Sequence, residues 1–66
     1  MRTETCRATL HLVGGVWFAD TQLVGRVLLA RNLQSMPDPE TGDGADVEVV
    51  LSSPMACAEV VSYHYV

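Results

Sequence analysis

Apolar and polar residues alternate along the first part of the chain, and this alternation predicts a β-hairpin. In residues 5–13 the even-numbered positions are apolar, and the odd-numbered positions up to His11 are polar. Gly14 and Gly15 follow, and two glycines supply the positive φ angles of a two-residue hairpin turn. The turn pairs Val13 with Val16 and places the apolar residues of both strands on one face. The predicted inner-face pairs are Leu12–Trp17, Leu10–Ala19, Ala8–Thr21 and Cys6–Leu23, and the predicted outer-face pairs are His11–Phe18, Thr9–Asp20 and Arg7–Gln22.

Residues 20–33 allow two interpretations. As a strand they bend at Gly25, in the way that a glycine bend or bulge curls a sheet into a small barrel. The inner face of that strand consists of Leu23, Val27 and Leu29. As a helix they begin at Asp20, the N-cap, and form an apolar stripe. Gly25 costs the helix about 0.5–1 kcal/mol relative to alanine, so the bent strand is favoured, but the choice stays open.

An acidic segment separates the hairpin region from the end of the chain. Residues 34–46 contain two prolines, two glycines and four carboxylates, without an apolar period. Loops of this length are uncommon in compact domains unless they bind something or are mobile. The sequence therefore predicts a mobile acidic loop at this position.

Two further strands follow the loop. Residues 47–51 are Val, Glu, Val, Val and Leu, and they form the third predicted strand. The inner face of this strand is Val47, Val49 and Leu51. Residues 57–66 are rich in β-branched and aromatic side chains, which favours a last strand after a turn at residues 52–55. A helical turn after Pro54 is also compatible with the sequence, and the choice between strand and helix for residues 54–62 stays open.

These elements together predict one all-β domain over residues 1–66, with room for one short helical turn. The architecture is a small antiparallel sheet of four to five strands, curled or closed into a barrel and built on the Gly14-Gly15 hairpin. A domain of this size buries only about 60% of the surface that its unfolded chain exposes. Because so small a core gives marginal stability, we expect association with another chain to supplement it.

Charge and composition narrow the compartment and the partners. The chain has 8 acidic and 4 basic residues, for a net charge of −4, so nucleic acid is an unlikely partner. No apolar run approaches the roughly 18–20 residues of a membrane span, and the first residues lack the apolar core of a signal peptide. Two cysteines without an export signal are typical of a cytoplasmic protein with reduced thiols. All basic residues are arginine, which is typical of a GC-rich genome, and we expect a bacterial or phage protein.

The residues that could support catalysis or bind metal do not form a recognisable motif. The candidates for a zinc or thiol-histidine site are Cys6, His11, Cys57 and His64. Zinc ligands usually occur in pairs about two to four residues apart, and the odd spacings here put the members of each pair on opposite faces of a strand. The acidic loop fails the calcium-binding EF-hand pattern, because Asp43 stands at the glycine position and Val49 at that of the bidentate glutamate. We therefore expect no catalytic residue, no cofactor and no metal site, and no enzymatic activity.

The outer face carries more apolar residues than a solvated face needs. Val13, Val16 and Phe18 are contiguous across the hairpin, and a contiguous apolar patch usually marks an interface. Residues 63–66 form a last strand with no obvious protection of its edge, and such an edge invites pairing with another chain. The predicted interface residues are Val13, Val16, Phe18, Tyr63, Tyr65 and Val66.

The sequence thus favours a non-enzymatic protein interaction or self-assembly module that acts through an apolar face and a sheet edge. Its partner is a second copy of the chain or another protein. Two alternatives remain: an Sm-like RNA-binding ring that gathers Arg7, Arg26 and Arg31, and a small-molecule-binding protein with a pocket near Trp17, His64 and Cys57. The Sm-like comparison is one of architecture, and architecture does not determine function.

Overall fold

The computed structural model describes residues 3–31, 33–52 and 58–66. These residues form five strands, named β1 to β5 in chain order, and one short helix, α1. The strands are β1 Thr3–Val13, β2 Val16–Thr21, β3 Gly25–Leu28, β4 Asp46–Ser52 and β5 Val60–Tyr65, and α1 is Pro39–Gly42. The prediction of a small antiparallel, nearly all-β domain is confirmed.

All five strands belong to one antiparallel sheet with the order β3-β2-β1-β4-β5. The sheet is curled but does not close into a barrel. Its edge strands meet where Leu29, just after β3, forms an isolated parallel bridge with Val60. The N–H group of Ala30 donates to the carbonyl of Val60 at 2.9 Å in the same place. This contact holds the curl at one point along the two edges.

The glycine hairpin has the predicted register. Pairing runs from Val13 opposite Val16 to Ala8 opposite Thr21. Gly14 and Gly15 have φ angles of 59° and 80°, which are values that residues with a Cβ rarely adopt. The agreement between turn chemistry and alternation therefore gave the correct register.

The predicted pairing continues one residue past Thr21, where the N–H of Gln22 donates to the carbonyl of Arg7 at 3.3 Å, and then ends. No ladder pair joins Cys6 to Leu23 in the described part of the chain, because β2 ends at Thr21. Leu23, which we predicted on the inner face, is 53% exposed.

A second turn explains this difference. The hydroxyl of Thr21 accepts a hydrogen bond from the N–H of Val24 at 3.0 Å and donates to the carbonyl of Gly25 at 2.7 Å. Gly25 has a φ of 79° and pairs with Thr21, so it begins a new strand rather than bending the old one. The strand interpretation is correct for β3, and the predicted inner residues Val27 and Leu29 are buried.

The core lies on the inner face of the curled sheet. Alternate residues of β4 are fully buried, as predicted from their spacing. The side chains that form the core are Ala8, Leu10, Trp17, Ala19, Val27, Leu29, Val47, Val49, Leu51 and Val60.

The acidic segment contains regular structure that the sequence did not predict. Helix α1 begins after Asp38, whose carboxylate accepts the N–H of Glu40 at 2.8 Å. After the helix, the N–H of Gly44 donates to the carbonyl of Leu10 at 2.7 Å. The carboxylate of Asp43 accepts the N–H of Leu12 at 3.2 Å, which ties the segment to β1. One helical turn is too short to produce an apolar period, and the mobility of residues 34–46 stays a prediction.

The last strand is shorter than predicted. It begins at Val60, so Ala58 and Glu59 lie outside it, and Val61 is an extra residue where the register with β4 shifts. Cys57 and the predicted helical turn after Pro54 lie outside the described residues.

Gly42 sits where the helix packs against the core, and it is buried. A Cβ atom added there would lie 2.8 Å from the Cβ of Pro37, 3.2 Å from Cη2 of Trp17 and 3.4 Å from the hydroxyl of Tyr65. Space, rather than an unusual φ angle, therefore requires glycine at this position.

We expect Gly42→Ala to lower the free energy of unfolding by about 1 kcal/mol, since overpacking costs about 1–3 kcal/mol and alanine returns part of this through helix propensity. Urea unfolding followed by Trp17 fluorescence, at fixed protein concentration, measures the change. Thr41→Ala, at the exposed neighbouring position of α1, is the control and should change little. Equal stability of the Gly42→Ala variant and the wild type would contradict this packing.

Candidate interaction site at the free edge of β5

The predicted interface residues of the hairpin lie on the outer face, away from the core. Val13 and Val16 face each other beside the turn and are 51% and 45% exposed. Phe18 is half-buried and lies between His11 of β1 and Leu28 of β3. Val13, Val16 and Phe18 therefore share this outer face, and their role as an interface stays a prediction.

Charged side chains lie beside Phe18 and cover part of it. The guanidinium carbon of Arg26 lies 5.3 Å from the centre of the Phe18 ring, within range of a cation–π contact. The Nε atom of Arg26 is 3.1 Å from one carboxylate oxygen of Asp20, and Nε2 of His11 is 3.2 Å from the other. Nδ1 of His11 also lies 3.9 Å from Asp43. A partner that contacts the ring of Phe18 would therefore also contact the charged side chain of Arg26.

The Asp20–Arg26 pair shifts the titration of both groups. The hydrogen bond from Arg26 lowers the pKa of Asp20 against the opposing effect of burial, and the charges of Arg26 and His11 act in the same direction as the hydrogen bond. The pKa of Arg26 is raised, chiefly by the hydrogen bond to Asp20. Because both side chains are exposed, water screens the pair.

The other predicted interface residues lie on β5, and Tyr63 and Tyr65 share its inner face. They pair with Val49 and Val47, two fully buried residues of β4. Their rings meet edge to face, with centroids 5.8 Å apart. Val66, directly after the strand, is 66% exposed. The two parts of the predicted interface are therefore separate surfaces, because β1 and β4 lie between β2 and β5 in the sheet.

The hydrogen bonds to β4 determine which backbone groups of β5 are free. The N–H of Val66 donates to the carbonyl of Asp46 at 3.2 Å. In an antiparallel pair such hydrogen-bonded positions alternate, so Ser62 and His64 also face β4. The N–H and C=O groups of Tyr63 and Tyr65 point the other way. No backbone group in the described ranges bonds to them.

A groove runs beside these free groups. It has a volume of about 660 Å³ and separates β5 from residues 33–35. The hydroxyl of Tyr63 donates to the carbonyl of Ser35 at 3.1 Å and joins the two sides. The residues that line the groove are Leu33, Gln34, Ser35, Val61, Ser62, Tyr63, His64 and Tyr65. None of them is a carboxylate, a lysine or an arginine.

Burial raises the pKa of the Tyr65 hydroxyl, and the neighbouring Tyr63 acts in the same direction. The hydroxyl of Tyr65 is the atom that approaches Gly42 under α1. The hydroxyl of Tyr65 therefore stays uncharged at neutral pH.

The opposite edge of the sheet is a weaker candidate for pairing. The N–H of Leu29 donates to the carbonyl of Trp17 at 3.4 Å, so by the same alternation Arg26 and Leu28 face away from β2. This strand has four residues and carries the charged Arg26 on its edge. Short length and a charged edge both discourage strand pairing, whereas β5 has six residues and neither lysine nor arginine.

The remaining candidate residues do not converge on one site. Cys6 is partly buried and packs against the core from the inner face, whereas His11 lies on the outer face. Cys57 is outside the described residues. Within the described ranges, no group of three or more His, Cys, Asp or Glu side chains is arranged to hold a metal ion. Trp17 is buried and does not line the groove, although His64 does.

The three arginines proposed for nucleic acid lie apart in the sheet. Arg26 is engaged by Asp20. Arg7 is on the outer face opposite Glu48, and Arg31 is exposed after β3. Arg26 therefore has Asp20 beside it and Arg7 has Glu48 opposite it, so the three arginines do not form one basic patch.

The chain matches no protein-family model, no curated protein and no solved structure. Among the residues that the structure describes, no helix is both long enough and apolar enough to cross a membrane.

Sequence reasoning found the exposed strand but missed the groove beside it. The far wall of the groove, residues 33–35, has no periodicity that would assign it to a site. Tyr63 is the one signal in the sequence that points to the groove. A tyrosine on the inner face of a strand needs a hydrogen-bond partner for its hydroxyl, and here the partner is Ser35 on the far wall.

The lowered pKa of Asp20 predicts an acid-dependent contribution to stability. A carboxylate with a lower pKa in the folded chain stabilises the fold above its unfolded pKa, and this contribution is lost as the pH falls through the folded pKa. Between about pH 5 and pH 2, unfolding midpoints of Asp20→Asn should therefore fall less steeply than those of the wild type. Arg26→Gln should behave like Asp20→Asn, and the double variant should add nothing further. Additive effects of the two substitutions would show that the pair is not coupled.

Proposed function

We propose that this chain is a non-enzymatic self-assembly module, in which the free edge of β5 pairs with the same edge of a second copy. The observation that supports this proposal is that the N–H and C=O groups of Tyr63 and Tyr65, beside an open groove, have no backbone partner within the described ranges. Main-chain pairing at an exposed edge is a common mode of protein recognition.

Charge favours a second copy as the occupant of the groove. The chain carries a net charge of −4, so two copies repel each other when most of their surfaces meet. The lining of the groove is free of carboxylates, and strand β5, with the sequence VVSYHY, is free of them too. Two copies can therefore bring these edges together without opposing acidic side chains.

Size also favours association. The core consists of inner-face side chains from a sheet that is not closed, and Tyr65 and Val66 remain 50% and 66% exposed beside it. Apolar surface removed from water contributes about 25 cal/mol per Å². Covering these side chains with a second copy adds burial that a 66-residue chain lacks alone.

Symmetry limits the assembly to a dimer. Two identical edges that pair antiparallel are related by a two-fold axis, and such an interface uses each edge once. The extra residue at Val61 interrupts the regular alternation, so the regular free edge begins after it. The register that uses all the free groups pairs Tyr63 of one copy with Tyr65 of the other, and the reverse.

A small-molecule site is the second candidate, because the volume of the groove, about 660 Å³, falls in the range of about 300–1,000 Å³ that is usual for ligand pockets. Such a site predicts a monomer whose groove stays free for a ligand. The oligomeric state therefore separates the two functions.

The test is the solution mass, measured by light scattering behind a sizing column over a hundredfold range of concentration. We expect a mass of twice 7.2 kDa for the wild type. Chemical synthesis can place N-methyltyrosine at position 65, which removes one free N–H and keeps the side chain. This variant should be a monomer with an unchanged circular dichroism spectrum.

N-methylation at Leu28 is the matched control, because that N–H faces the other free edge of the sheet, and this variant should remain a dimer. Phe18→Ala, on the apolar outer face, should also remain a dimer. A monomeric wild type at every concentration contradicts the proposal. Loss of the dimer in Phe18→Ala but not in the N-methyl-Tyr65 variant would instead assign the interface to the outer face.

A further inference from the structure

We propose that pairing of the β5 edges is controlled by pH through His64, whose protonation separates the two copies. This inference rests on the proposed self-assembly and concerns the regulation of the same edge.

The symmetric register places His64 on the two-fold axis. When Tyr63 of one copy pairs with Tyr65 of the other, residue 64 stands directly opposite residue 64 of the second copy. This is a non-hydrogen-bonded pair of an antiparallel ladder. In such a pair the Cα atoms are about 4.5 Å apart and the side chains are close together. The two imidazole rings therefore project side by side from the outer face of the joined sheet.

The charges around His64 come from the neighbouring strands. Its Nε2 atom is 3.2 Å from Oε1 of Glu48 on β4, and its side chain is 68% exposed. Arg7 of β1 faces Glu48 from the other side, and Asp46 lies two residues along β4, opposite Val66. Across the groove stand Gln34 and Ser35, which are uncharged.

In this arrangement, protonation of His64 weakens the association of the two copies. Glu48 of the same chain attracts a protonated His64 in the monomer and in the dimer alike. Pairing adds the repulsion between the two imidazolium groups at the axis, which the separated chains do not have. A proton therefore binds the separated chain better than the pair, and by linkage it favours separation. Histidine side chains in general titrate between about pH 5 and 8.

The experiment compares the dimer dissociation constant at pH 8 and at pH 5.5, by sedimentation equilibrium of the full chain. For the wild type we expect an increase on the order of tenfold at the lower pH, because two like charges brought close together repel each other. His64→Gln should remove the pH dependence.

His11→Gln is the matched control. His11 is the other histidine of the chain, and it lies on β1 beside Asp20, away from the β5 edge. Its substitution should leave the ratio of the two dissociation constants unchanged. If His11→Gln removes the pH dependence and His64→Gln does not, the inference is wrong.

Two further outcomes distinguish a failure of pH control through His64 from a failure of self-assembly through the β5 edge. A wild-type dimer with the same dissociation constant at both pH values overturns the role of His64 and leaves self-assembly intact. A chain that is monomeric at pH 8 overturns the self-assembly itself and the pH control with it.

Discussion

The structure depends on where the two edges of one curled sheet meet. They touch at the end of β3 and the start of β5, through the bridge between Leu29 and Val60 and the hydrogen bond from Ala30 at 2.9 Å. This contact bends the sheet enough to enclose a core of small and branched side chains. Because the edges do not pair beyond it in the described residues, the rest of β5 keeps unpaired backbone groups, and residues 33–35 form the far wall of a groove instead of a further strand.

The two free edges differ in the features that favour or discourage strand pairing. The β3 edge is short and carries Arg26, which is engaged by Asp20 and lies over Phe18. The β5 edge is longer, carries neither lysine nor arginine, and is lined on its inner face by tyrosines. On a chain with a net charge of −4, a segment free of carboxylates is where a second acidic copy can approach with the least repulsion. Sheet-edge geometry and the distribution of charge therefore favour the same strand.

Local chemistry explains which parts of the fold could be predicted from the sequence. The first hairpin was predicted in the correct register from the turn to Thr21, because Gly14 and Gly15 and the alternation on both sides favour the same pairing. The second turn was missed because it is stabilised by the hydroxyl of Thr21, while its apolar residues, Leu23 among them, resemble a continuing strand. Helix α1 is too short for a period. The direction in which each backbone group of β5 points depends on the extra residue at Val61, and no pattern in the sequence marks that residue.

Amide hydrogen exchange, read residue by residue by NMR at low and high protein concentration, tests the central claim directly. The amide of His64 bonds to β4 and should be protected at both concentrations. The amides of Tyr63 and Tyr65 should exchange fast in dilute solution and become protected as the concentration rises. If their exchange is the same at both concentrations, or if Leu28 on the other edge gains protection instead, the free edge of β5 is not where two copies meet.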